Sequence, residues 1–167
     1  TISASFSLNT YSLTATSGAG GSITPSGSVT VNHGDSRTFT FTPNTGYRIS
    51  NVRVDNVSTG TPGQYTFSNI TDDHSIAVSF SLITNTITAS AGNGGTISPG
   101  GNISAEWGSD QTFSVSANTG YYISDVRVDN ESVGVITSYT FENVTTNHTI
   151  SASFSPVTYT ISGTAGP

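Results

Sequence analysis

Few side chains in this chain could do chemistry. There are three histidines, His33, His74 and His148, against ten acids and four basic residues. Arg53 and Asp55 stand two apart, and Arg127 and Asp129 repeat that spacing. A zinc or similar site needs about four His, Cys or acid ligands converging. Here no two histidines lie close in sequence and Cys is absent, so no metal ligand set is expected. A glycosidase-type mechanism needs two carboxylates facing one bond. The acids Asp35, Asp72, Asp73, Glu106, Asp110, Asp125 and Glu142 are scattered, and the adjacent pair Asp72-Asp73 is Thr146-Asn147 later on. The glycine runs "GAGG" and "GNGG" are not phosphate loops, because no Lys follows them. No catalytic residue, cofactor or metal is expected, and the chain reads as a non-enzyme.

Other residues suggest contacts. Arg53 with Asp55, and Arg127 with Asp129, share one strand face and read as surface ion pairs worth about 0–1 kcal/mol. Tyr47 and Tyr121 each follow a Gly after an Asn-Thr turn. An exposed ring there could stack on a sugar. The preferred reading is a positive-φ Gly, then a strand-starting Tyr with its ring in the core and its hydroxyl tied to backbone. Trp107, the single Trp, is the candidate carbohydrate contact, although repacking accounts for it too. Asn56, Asn69, Asn102, Asn130, Asn143 and Asn147 each begin an Asn-x-Ser/Thr triplet and are the candidate glycosylation sites. With about a third of the chain Ser or Thr, most such triplets are expected by chance.

Composition narrows the partners. Net charge is −6 and there is no Lys, which argues against nucleic acid and against an anionic membrane surface. Without Cys there are no disulfides. No apolar run is long enough to insert into a membrane as a helix. The opening "TISASFS" reads as the middle of a longer chain.

What must position these residues is a duplicated unit. Gly20-Gly21 returns as Gly94-Gly95, Gly46-Tyr47 as Gly120-Tyr121, His74 as His148 and Phe80 as Phe154, always 74 residues on. Close to half of positions 10–83 are identical to their partners in 84–157, with no gap. Residues 1–9 match the end of a repeat, and 158–167 match the start of one. The expected organisation is therefore 1–9 as a final strand, repeats 10–83 and 84–157, and 158–167 as a first strand. The exchange of Val31 for Ala105 beside His33 for Trp107 has the form of volume-conserving repacking.

Within each repeat, period-two alternation dominates. Phe39 and Phe41 share a face in "RTFTFTP", as do Val52 and Val54 in "NVRVD" and Ile150, Ala152 and Phe154 in "TISASFS"; Phe39, Phe41, Val52, Val54, Phe67 and Phe80 are expected to be buried, with Phe113, Val126, Val128, Phe141 and Phe154 matching them. Thr suits the wet face of such strands. Segments such as "TPSG", "NHGD" and "STGTPG" are turns. About six strands per repeat are expected, and no stretch carries a helical stripe. The junctions "FSLNTYSL", "FSLITNTI" and "FSPVTYTI" contain no Gly, unlike a flexible linker.

The series "GGSITPSGSVTVNHGDSRTFTFTPNTGYRISNVRVD", with "YTFSNITDDHSIAVSF", resembles the divergent InlB B-repeats. The resemblance covers the whole chain. It implies tandem modules of secreted and surface proteins, without catalytic residues, and a grasp-like fold that in the prototype carries a helix. The combined expectation is all-β: two tandem small antiparallel β units, sandwich- or grasp-like without a helix, arranged as a rod. The expected role is an extracellular fibre, shaft or adhesin stalk. The competing role is a carbohydrate- or surface-binding module. Expected partners are copies of itself or adjacent repeats, head to tail, or glycans. Contact strands are expected at Ile2, Ala4, Phe6, Tyr159 and Ile161.

Overall fold

The structure, a computed structural model, describes residues 1–163. Among them there is no helix. The chain divides into two compact units between Ile83 and Thr84. The first holds β1 (Thr10–Ser17), β2 (Gly21–Thr24), β3 (Gly27–Asn32), β4 (Arg37–Pro43), β5 (Tyr47–Val54), β6 (Val57–Ser58), β7 (Gln64–Phe67) and β8 (His74–Leu82). The second holds β9 (Thr84–Ala91), β10 (Gly95–Ser98), β11 (Gly101–Glu106), β12 (Gln111–Ala117), β13 (Tyr121–Val128), β14 (Glu131–Gly134), β15 (Ser138–Phe141) and β16 (His148–Pro156). That is eight strands per repeat rather than six. The two extra ones are short and follow turns that the alternation pattern does not mark.

Each unit is two sheets around one core. In the first, a five-stranded sheet runs β3-β1-β8-β5-β6 and a three-stranded sheet runs β2-β4-β7. The second repeats this as β11-β9-β16-β13-β14 and β10-β12-β15. Both sheets feed the core: Leu13, Val52 and Ile76 come from the larger one, Phe39 and Phe67 from the smaller. Phe39 is fully buried and meets Phe67 edge-on at 6.0 Å between ring centres. Phe113 and Phe141 copy this at 5.9 Å. On the wet face, the paired Thr38 and Thr66 hydroxyls hydrogen-bond at 2.8 Å, as do Thr112 and Thr140.

Two expectations need correcting. Phe80 and Phe154 are only partly buried, packed at the rim of the core rather than within it. And not every pairing is antiparallel: β1 lies parallel to β8, with Leu13 opposite His74 and Ser17 opposite Val78, and β9 lies parallel to β16. A parallel pair needs a long crossover, and here the rest of the repeat supplies it.

The parallel pair fixes where the chain enters and leaves a unit. Entry at Thr10 lies three residues before the Leu13–His74 pair, and exit at Leu82 lies four beyond the Ser17–Val78 pair. Both strands run the same way, so entry and exit lie at opposite ends of the unit. At roughly 3.3 Å per residue the axial separation is about 36 Å.

Candidate functional site

The most organised polar cluster starts at a turn. Val54 pairs with Val57, leaving Asp55 and Asn56 as a two-residue hairpin loop with φ of 48° and 66°. Two positive φ angles in succession make a type I′ turn, which Asp and Asn tolerate better than most residues. The Asp55 backbone N–H donates to Ser75 O at 2.9 Å. One carboxylate oxygen accepts the Ser75 N–H at 2.7 Å, and the other accepts from His74 Nδ1 at 2.7 Å. The His74 ring lies nearly flat on Phe67, 4.8 Å away at 25°. The second copy matches it: Asp129 accepts from Thr149 N–H at 2.8 Å and His148 Nδ1 at 2.7 Å, and His148 covers Phe141 at 4.9 Å. Partial burial alone would push both carboxyls up. The Ser75 N–H and His74 ring outweigh this at Asp55, and the His148 ring and Thr149 N–H do so at Asp129, so both lie below their usual value.

This corrects the expected Arg–Asp pairs. Asp55 and Asp129 sit in turns and bind histidines. Arg127 Nε instead donates to Asp125 at 3.2 Å, an exposed contact of small worth. His74 and His148 begin their strands, β8 and β16, whereas His33 lies in the turn after β3.

In the second copy Thr146 Oγ1 lies 3.3 Å from His148 Nε2. Hydroxyl, imidazole and carboxylate then stand in the order of an acyl-transfer triad. The first copy has Asp72 where the second has Thr146, yet keeps the same His–Asp pair. What the two copies share is a clamp joining a hairpin turn to the start of the last strand. Among the described residues no three His or acid groups converge as a metal site.

The Gly-Tyr repeat has a packing cause. Gly46 and Gly120 take φ of 79° and 83°, as expected. The Tyr rings, however, lie outside the core. A Cβ on Gly20 would fall within the Tyr47 ring, and one on Gly21 within the Phe80 ring. Gly94 and Gly95 stand in the same relation to Tyr121 and Phe154. The paired glycines are a floor on which two aromatic rings rest. Tyr47 is half-buried and Tyr121 is 39% exposed, and neither hydroxyl shows the expected backbone tie among the described residues.

The second repeat also carries a groove of about 760 Å³, lined by Val115 and Ala117 of β12, Tyr122 and Ile123 of β13, and Val135 and Thr137 of the loop between β14 and β15. The first repeat has Phe41, Pro43, Arg48, Ile49, Thr61 and Gly63 at these places.

The family model of the divergent InlB B-repeat domain matches the chain twice, over residues 11–84 and 85–158. The chain belongs to the divergent InlB B-repeat family. No curated protein and no solved structure matches it. The family is one of repeat modules of surface-associated proteins.

The remaining residues fall into place on the B-repeat frame. Trp107 is half-buried in the turn after β11, where His33 is exposed. Tyr11 pairs with Val31 and leans on His33 at 5.9 Å; the second copy has Asn85, Ala105 and Trp107 there. The smaller Asn and Ala beside a larger Trp make a three-residue volume exchange, wider than the two-residue one seen in sequence. All six triplet asparagines are exposed. Asn56, Asn69, Asn130 and Asn143 have φ between 50° and 71°, so the turns themselves call for Asn. Asn102 and Asn147 accept hydrogen bonds from Thr88 Oγ1 and the Thr86 N–H. Ile2, Ala4, Phe6, Tyr159 and Ile161 are exposed and belong to no strand. The rest of the expected end strand, 164–167, lies outside the described residues.

Proposed function

We propose that this B-repeat pair is a structural segment of an extracellular fibre, shaft or adhesin stalk, lengthened by adding copies head to tail. The observation that carries this reading is the parallel pairing of β1 with β8 and of β9 with β16, which brings the chain in at one end of each unit and out at the other. A single residue, Ile83, separates β8 from β9, and its N–H donates to Gly46 O at 2.8 Å. Val157 is held to Gly120 O in the same way at 2.8 Å. Such a junction offers little chain for a hinge. The exposed, alternating segments at 1–9 and 158–163 supply apolar edges suited to pairing with a neighbouring repeat or chain. The test is electron microscopy and sedimentation of the 167-residue chain beside a version lacking 1–9 and 158–167. Association end to end that disappears on trimming supports assembly through these segments. Monodisperse monomers in both samples at high concentration rule it out.

A further inference from the structure

The groove of the second repeat lies between two interrupted strand edges. The β13–β14 ladder runs from Val128 opposite Glu131 to Val126 opposite Gly134 and stops there. From Tyr121 to Asp125 that side of β13 has no strand beside it among the described residues, while the other side is paired to β16. Across the groove, β15 pairs with β12 only from Gln111 to Ser114, and the last contact is the Val115 N–H to Thr137 O at 2.9 Å. The groove begins where both ladders end. Its lining is uncharged and largely apolar, with Tyr122 53% and Val135 67% exposed.

In the first repeat the β5–β6 ladder stops at Arg53 opposite Ser58, with the Val52 N–H to Gly60 O bond beyond it, β4 ends its contacts with the Phe41 N–H to Gly63 O bond, and the side chains differ. Phe41, 4% exposed, stands where Val115 leaves space, and Arg48 stands in place of Tyr122. A charge on an open edge is a usual guard against strand addition. In the second repeat Tyr122 takes the place of that guard and Val115 that of the filling ring; the one charge on the open stretch, Asp125, is engaged by Ser132 and Arg127.

We propose that this groove takes an extended polypeptide segment, added as a strand along β13 in continuation of β14, with alternating small apolar side chains and no acidic residues. Backbone pairing along a free edge supplies affinity, and the pockets beside alternate residues supply selection. Continuity with the existing ladder sets the direction: the segment lies beside Tyr121–Asp125 where β14 leaves off. Charge sets the composition, because the second repeat has six acids against Arg127 alone. A neutral or basic segment is favoured and an acidic one repelled. This inference does not depend on the shaft reading.

The experiment uses the full chain, nitrogen-15 labelled, titrated with the peptide acetyl-KTVTVTK-amide. The expected result is saturable shifts of the amide signals of Tyr121–Asp125, with those of Tyr47–Asn51 unmoved. The interrupted peptide acetyl-KTVPVTK-amide, which cannot complete a ladder, is expected to bind at least tenfold more weakly. Val115→Phe with Tyr122→Arg, which copies the first repeat, should weaken binding at least tenfold. Val135→Lys, at an exposed rim position that puts folding at no risk, should weaken it too. The proposal is overturned by three outcomes: no shifts at millimolar peptide, equal affinity for the interrupted peptide, or full affinity in Val135→Lys. Shifts of the same amides by maltohexaose, with none from the peptide, would make the groove a glycan site and overturn it as well.

Discussion

Replacing Phe39 with Ala should strongly destabilise the first unit and leave the second standing. Phe39 is fully buried, meets Phe67 edge-on, and belongs to a core that contains no residue of the second unit. Phe→Ala at such a site costs about 3–5 kcal/mol, cavity included. A unit of this size is worth about 4–11 kcal/mol in all. The loss is therefore from about a quarter to all of the unit's stability, and on the order of 3 M in urea midpoint for a small domain. The chain carries its own reporter, because its single Trp, Trp107, sits in the second unit. Urea unfolding followed by circular dichroism should split into two transitions, the first near or below the native range. Trp107 fluorescence should keep nearly its original midpoint. Phe113→Ala should do the reverse and shift the fluorescence midpoint. If Phe39→Ala moves the Trp107 midpoint as far as Phe113→Ala does, the two cores do not act separately and the reasoning fails.

Three further outcomes follow from the clamp and the glycine floor. Gly20→Ala should cost more than Gly27→Ala in thermal unfolding, because both have positive φ but only Gly20 lies under a ring; the backbone share of each is about 1–2 kcal/mol, and equal losses would remove the floor argument. Acid should weaken the clamps: the Asp55 and Asp129 values lie below the ordinary 3.8, so the unfolded chain binds more protons. Their contribution is full above that ordinary value and disappears as pH falls through the folded one, below about pH 4. The double change Asp55→Asn and Asp129→Asn should flatten the acid side of the stability curve, and an unchanged slope would show that the clamps do not titrate as argued. Thr146→Ala should leave stability within about 0.5 kcal/mol by urea unfolding, since the first copy forms its clamp without that hydroxyl; a larger loss would make Thr146 part of the clamp.

Much of this fold is legible in the sequence because period-two alternation and a gapless duplication are both local, countable signals. Phe39, Val52 and Ile76 declare their faces that way. The His–Asp clamp is not legible, because Asp55 and His74 lie 19 residues apart and the antiparallel pairing of β5 with β8 brings them together. The "VRVDN" stretch reads as Arg–Asp spacing, when its Asp is there for the turn and for His74. The parallel strand pair escapes notice for a related reason: alternation marks a strand's faces and says nothing of its neighbour's direction. Phe80 and Tyr47 mislead in the same way. Their spacing fits the core, but the glycines that receive their rings lie far away in sequence. The groove depends on Val115 and Tyr122 replacing Phe41 and Arg48, substitutions whose joint effect appears only once β12 and β13 face each other.

The central claim is that B-repeats of this chain lengthen a shaft through end-to-end connection of β8 to β9. Small-angle X-ray scattering of chains with two, four and six repeats tests it most directly. The account predicts a maximum dimension that rises linearly, by about 36 Å per repeat. A dimension that grows roughly as the square root of repeat number, as for freely hinged units, would contradict it.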